Sequence, residues 1–166
     1  PESLAIEGAL PVSAEVSLSF AAGEQRISVQ ETHDLLIHGR GALRWDHVGR
    51  AAAFITPTSP AVTGFVRPLL VGFEDRFEQL GRPGRNLLQA MALFAGIRAH
   101  GVRYVVDANT PYARVRGQTG AVDHEQSAFE VLQRQSGDCD DLTALYCSLL
   151  ESAGIATALV DYPGHV

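Results

Sequence analysis

The chain has 166 residues, 46% hydrophobic and 19% charged, with a formal net charge of −6. That composition fits one substantial globular domain or two small ones. It contains no run near the roughly eighteen apolar residues of a membrane span, and no basic cluster of the kind nucleic acid requires.

The opening stretch, PESLAIEGALPVSAEV, has neither the basic nor the apolar region of a signal peptide. It also lacks an initiator Met, so an excised or processed fragment is expected. The compartment therefore stays open between cytoplasm and periplasm. From Ala14 to Ile55 the signals are β: AEVSLSF and RISVQ alternate, while DLLIHG and GALRW are short apolar runs. AAAFITPTSP closes this region with a Pro- and Ser-rich break. Residues 1–56 thus read as a β-rich N-terminal module of three to five strands, sandwich-like or a single sheet. Trp45 and His47 read as packing or surface residues.

Ser59-Pro60 resembles a helix cap followed by proline at the first helical position. It opens a segment from Ala61 to Leu80 that Pro68 and Gly72 should kink or break. After GRPG, a helix is expected from Asn86 to His100, with Leu87, Met91, Phe94 and Ile97 toward one face and Gly101 as cap. Gly96 inside it implies close packing against another element. VRYVV (Val102 to Val106) is a strand candidate. The polar stretch DANTPYARVRGQTGAVDHEQ follows, long enough to suggest a functional loop. Ser127 to Gln133 reads as a short helix.

QRQSGDCDDLTALYCSLLESAG (Gln133 to Gly154) carries the chemistry. Leu142, Leu145, Leu149 and Ala153 recur at helical spacing. Asp138 is a good N-cap, Asp141 a carboxylate capping-box partner, and Gly154 a C-terminal cap. Cys139 then falls at the first helical position, where the free N–H groups and the helix dipole favour a thiolate. Flanking Asp138, Asp140 and Asp141 oppose that unless their charges face the helix N–H groups or solvent. Cys147, eight residues on and roughly 12 Å along the helix, is too distant for a disulfide and reads as a small buried hydrophobe. Downstream, a strand at Thr157 to Val160 and the turn Pro163-Gly164 could return His165 to the helix start, completing a Cys–His nucleophile–base pair.

SGDCDDLTALYCSLLESAGI, a short strand and PGHV, with the lead-ins DANTPY and VDHEQSAFEVL, resemble the catalytic segment of bacterial transglutaminase-like proteins. The resemblance covers residues 107–166. It implies an α+β protein whose residues 57–166 hold the helical part of a transglutaminase-like, papain-like core, truncated after the histidine strand. It also implies cysteine acyl transfer on a protein or peptide substrate, with Cys139 as nucleophile and His165 as base. The family's third catalytic residue follows the histidine and is not present in this chain. Gln126 is a candidate oxyanion donor beside the Cys139 N–H. His124 is a weaker second base.

All thirteen basic residues are Arg, so glutamine–lysine crosslinking of the chain to itself is excluded. Hydrolysis, as a protease or amidase, is favoured over amine transfer. No cofactor or metal is expected, since Asp138, Cys139, Asp140 and His165 lack zinc-site spacing and the acidic run is no EF-hand. The alternative is a catalytically impaired binding or scaffolding module that keeps the same fold.

Overall fold

The computed structural model describes residues 9–23, 25–107, 118, 120–160 and 162. The architecture is mixed α+β, and chain contacts divide it into two units, residues 1–42 and 43–166. The sequence reading set this boundary near residue 56.

In the first unit, β1 (Leu10–Ala22) and β2 (Gln25–Ile37) form one long antiparallel hairpin, paired from Leu10↔Ile37 to Ala22↔Gln25. Three to five strands were expected over residues 1–56, and the described residues there hold three, the hairpin and one short strand after it. RISVQ and DLLI run on as a single strand through Glu31, Thr32 and His33. A two-stranded ribbon has no second layer, so charged residues in mid-strand cost little. Its faces nonetheless differ. Val12, Leu18 and Phe20 sit opposite Leu35, Val29 and Ile27 on one side. On the other, Ser13 Oγ donates to Asp34 Oδ1 at 2.7 Å, Gln30 donates to Glu15, and the Ser19 and Ser28 hydroxyls share a bond.

GALRW yields only the short strand β3 (Ala42–Leu43). Beyond it, within the second unit, Trp45 Nε1 donates to Asp123 Oδ2 at 2.8 Å. AAAF lies in a 3-10 helix, Val48–Phe54, and His47 caps it by accepting the Gly49 N–H. Both Trp45 and His47 thus have structural work.

The kinked helix resolves into α1 (Pro60–Val71) and α2 (Glu74–Glu78), with Ser59 capping α1 as expected. α3 (Arg82–Ala99) starts four residues earlier than the reading placed it, because Pro83 fits a first helical turn instead of interrupting it. Its buried residues are Leu93 and Gly96, whereas Leu87, Met91 and Phe94 are exposed. The expected face is therefore rotated. A Cβ on Gly96 would come within 2.4 Å of Leu69 Cδ1, so the glycine does mark a close approach, here of α1.

Four further elements complete the unit: β4 (Arg103–Tyr104), β5 (Asp123–His124), α4 (Ala128–Arg134) and β6 (Ser136–Gly137). The last helix, α5, spans Cys139–Ser152. The core joins Val62 and Val66 of α1, Leu93 of α3, Val131 and Leu132 of α4, and Leu145 and Leu149 of α5. α5 ends where predicted: Gly154 has φ +81°, and the Ile155 N–H reaches back to the Leu150 carbonyl at 2.9 Å. The strand expected at Thr157 to Val160 is not formed, and those residues have no regular secondary structure. Among the described residues no helix is long and apolar enough to cross a membrane.

Candidate active site

The site is built on the junction that launches α5. α4 ends at Gln135, whose left-handed φ of 55° turns the chain sharply into β6. β6 pairs in parallel with β4, Arg103 beside Ser136 and Tyr104 beside Gly137. The Arg103 and Val105 N–H groups donate to the Gln135 and Gly137 carbonyls, each at 2.9 Å. Gly137 has no substitute here, since a Cβ would lie 2.8 Å from the Asp141 Cβ. That contact brings the first turn of α5 hard against β6.

Cys139 is the first residue of α5, as the sequence predicts, and is partly exposed. Thr143 Oγ1 donates to its carbonyl at 2.6 Å, and its Sγ lies 3.8 Å from Asp140 Oδ1. Cys147 is buried, and burial pushes its thiol up, as an inert core cysteine requires. The two thiols are therefore chemically distinct.

Asp141 is the hub of the junction. Its carboxylate accepts the Gln126 N–H at 2.6 Å, the Gln126 side-chain amide, and the Asp138 N–H at 3.2 Å, the last being the return half of a capping box. Gln126 Nε2 also lies 3.4 Å from the Ser136 carbonyl, and its Oε1 accepts from Arg134 at 2.9 Å. The Gln126 amide is thereby committed to holding α4, β6 and α5 together. His124 is exposed on β5. His165, with Pro163 and Gly164, lies outside the described residues, as does most of the DANTPYARVRG loop.

Of Asp140 and Asp141, expected to face the helix N–H groups or solvent, neither is solvated. Both are buried, with Asp123, Glu125 and Asp138 around them. Burial first, then a hydrogen bond and charge from Asp138, push the Asp140 carboxyl up to about 9. Burial also raises Asp141, against the lowering effect of the Gln126 bonds. Glu125 goes up to about 9, through burial and then the charges of Asp140, Asp141, Asp123 and Asp138. Among the described residues no group of three or more His, Cys, Asp or Glu side chains is arranged to hold a metal ion.

Sequence reasoning missed two residues here. Tyr104 is read only as part of an apolar strand, yet pairing opposite Gly137 sets it beside the start of α5. Partial burial first, then the charges of Cys139, Asp138 and Asp140, raise its phenol, which is 55% exposed. Glu125, in the hydrophilic string VDHEQ, gives no sequence signal of burial; only the packing of β5 against the α5 turn encloses it.

A groove of about 430 Å³ runs on from this point, lined by Val102, Leu142, Thr143 and Tyr146 among others. Leu142 and Thr143 stand one turn along α5 from Cys139, so the groove shares the cysteine's face of the helix.

Residues 98–163 match the transglutaminase-like superfamily, a span that takes in Tyr104, Gln126 and Cys139. No curated protein and no solved structure matches the chain. Over residues 98–163, then, this chain is similar to the transglutaminase-like superfamily.

Proposed function

We propose that the chain carries the papain-like core of a bacterial cysteine acyl-transfer enzyme, with Cys139 as nucleophile. The observation that carries this reading is the placement of a part-exposed cysteine at the first position of α5, at the positive end of the helix dipole, beside a half-exposed phenol. Helix N-termini favour thiolate and oxyanion alike.

In this mechanism His165 takes the Cys139 proton, and the thiolate attacks the carbonyl carbon of a peptide bond or glutamine amide. The new C–S bond pushes the carbonyl electrons onto oxygen. That oxyanion is held by the Cys139 N–H and a second donor. Gln126 could serve only by leaving Asp141 and Ser136, so the phenol of Tyr104 is the better candidate. Collapse breaks the C–N bond, and His165 protonates the departing amine or ammonia. The thioester is then hydrolysed by water, with His165 again taking the proton. We favour hydrolysis, in the manner of a protease or amidase, over transfer to an amine. The groove beyond Thr143 is open to the side chains of such a substrate.

The test is alkylation of Cys139 by iodoacetamide as a function of pH, read by mass spectrometry against Cys147, together with acylation by a p-nitrophenyl ester. Labelling of Cys139 well below pH 8, slowed in His165→Ala, and acylation lost in Cys139→Ala are the expected results. Labelling that rises only near the free-thiol value of about 8.5, with no acyl-enzyme, overturns the reading. It would leave a transglutaminase-like binding module in its place.

A further inference from the structure

Five carboxyl groups converge where β5 meets the start of α5, and one of them has no partner. Asp123 accepts from Trp45 Nε1 and from the His124 N–H. Asp141 accepts three N–H bonds. Asp138 caps α5, and Asp140 lies against the Cys139 thiol. Glu125 is 1% exposed, and neither of its oxygens has a hydrogen-bond partner. No ion pair among the described residues reaches any of the five.

A buried carboxylate with no donor and no cation is untenable, and such a group stays protonated instead. The sequence reading raised the difficulty that three aspartates beside Cys139 oppose a thiolate. A neutral acid in the cluster resolves it, because a carboxylic acid adds no repulsion.

We infer that Glu125 is a positioning residue for the Cys139 nucleophile: held as a neutral acid, it limits the negative charge packed behind the thiolate, and its ionisation sets the alkaline limit of thiol reactivity. The inference rests on Cys139 being the reactive thiol of the proposed enzyme. The groups that face Glu125 are Asp123 from β5 and Asp138, Asp140 and Asp141 from α5 and its cap; Tyr104 from β4 faces Cys139. Each is neutral when protonated and negative when ionised, so each proton lost from the cluster works against the thiolate. The upward displacement of Glu125 and Asp140 agrees with this arrangement.

The experiment is the rate of Cys139 alkylation by iodoacetamide from pH 6 to 10.5, in the whole chain and in Glu125→Gln and Glu125→Asp. In the native chain the rate should level off by pH 8 and fall again as Glu125 ionises near pH 9. Glu125→Gln should hold the level rate to pH 10.5. Glu125→Asp, which keeps the acid, should retain the fall. Coincident curves for the native chain and a folded Glu125→Gln overturn the inference.

A second measurement needs no variant. With carboxyl-¹³C glutamate, one resonance should titrate near pH 9, and all resonances titrating below pH 6 would also overturn it. The two proposals fail separately. Acylation with coincident alkylation curves would remove only the role of Glu125. Curves that differ, with no acylation, would remove only the enzyme.

Discussion

Leu18 and Phe20 lie in water on the hairpin, whereas Glu125 and Asp140 lie out of water at the start of α5. Each region inverts the usual sorting of side chains, and for different reasons. The hairpin exposes apolar residues because two strands alone have no layer to bury them against. The α5 junction buries carboxyls because the close approach of Gly137 and Asp141 leaves the first helical turn nowhere else to go. Burial follows layering, and residue type only decides what it costs. An exposed leucine costs little, while an enclosed carboxyl needs donors or a proton. Asp141 has the donors, and Glu125 must keep the proton. The junction should therefore be sensitive to substitution and pH, and the hairpin to neither.

The largest effect is expected at the hub. Asp141→Ala removes the acceptor for two Gln126 N–H groups and for the Asp138 N–H, which should destabilise the chain by about 3 kcal/mol. Urea unfolding measures it, and a loss below about 1 kcal/mol would show that packing alone fixes the start of α5. Tyr104→Phe removes one hydroxyl from a half-exposed ring. If the phenol holds the oxyanion, acylation should slow by about 100-fold. Alkylation by iodoacetamide forms no oxyanion and should be unchanged. Equal acylation in both proteins would return the second donor to Gln126 or another group.

The pH dependence follows from the direction of the carboxyl shifts. Glu125 is held at about 9 against an ordinary 4.5. A folded-state value above the unfolded one contributes stability that is complete below about 4.5 and is lost as pH rises through about 9. Asp140 is displaced in the same direction. The chain should thus lose stability from mildly acid to alkaline pH. Glu125→Gln, with no proton to lose there, should lose less, by on the order of 4 kcal/mol between pH 5 and pH 8. Parallel stability curves for the two proteins would mean that Glu125 ionises normally.

How much of this was legible depended on whether the signal was local. The cap at Asp138, Cys139 at the first position of α5, and the stop at Gly154 are each fixed by neighbours within one turn, and each can be read from the string. Ser59-Pro60 is of the same kind. The rotated face of α3 is not: Leu87, Met91 and Phe94 have the right spacing, but Gly96 admits Leu69 and so chooses the opposite side. Tyr104 and Glu125 are further from reach still. Nothing in VRYVV or VDHEQ announces the start of α5, because strand pairing and helix packing bring these residues to it across gaps of 35 and 14 residues from Cys139. The neutral acid was invisible for the same reason, since only burial distinguishes it from a solvated glutamate.

The smallest effect is expected in the hairpin, and it tests the other half of the comparison. Leu18 stands opposite Val29 on the apolar face and is 59% exposed. Leu18→Thr keeps a residue suited to strands and removes only a solvent-facing cross-strand contact, so its cost should stay within about 1 kcal/mol. Cys139 alkylation should not change. The informative result is a large one. A loss of about 2 kcal/mol or more exceeds what an exposed pair supplies and matches removal of a buried side chain. The apolar face would then be packed in solution, and its exposure here would describe a surface awaiting its second layer.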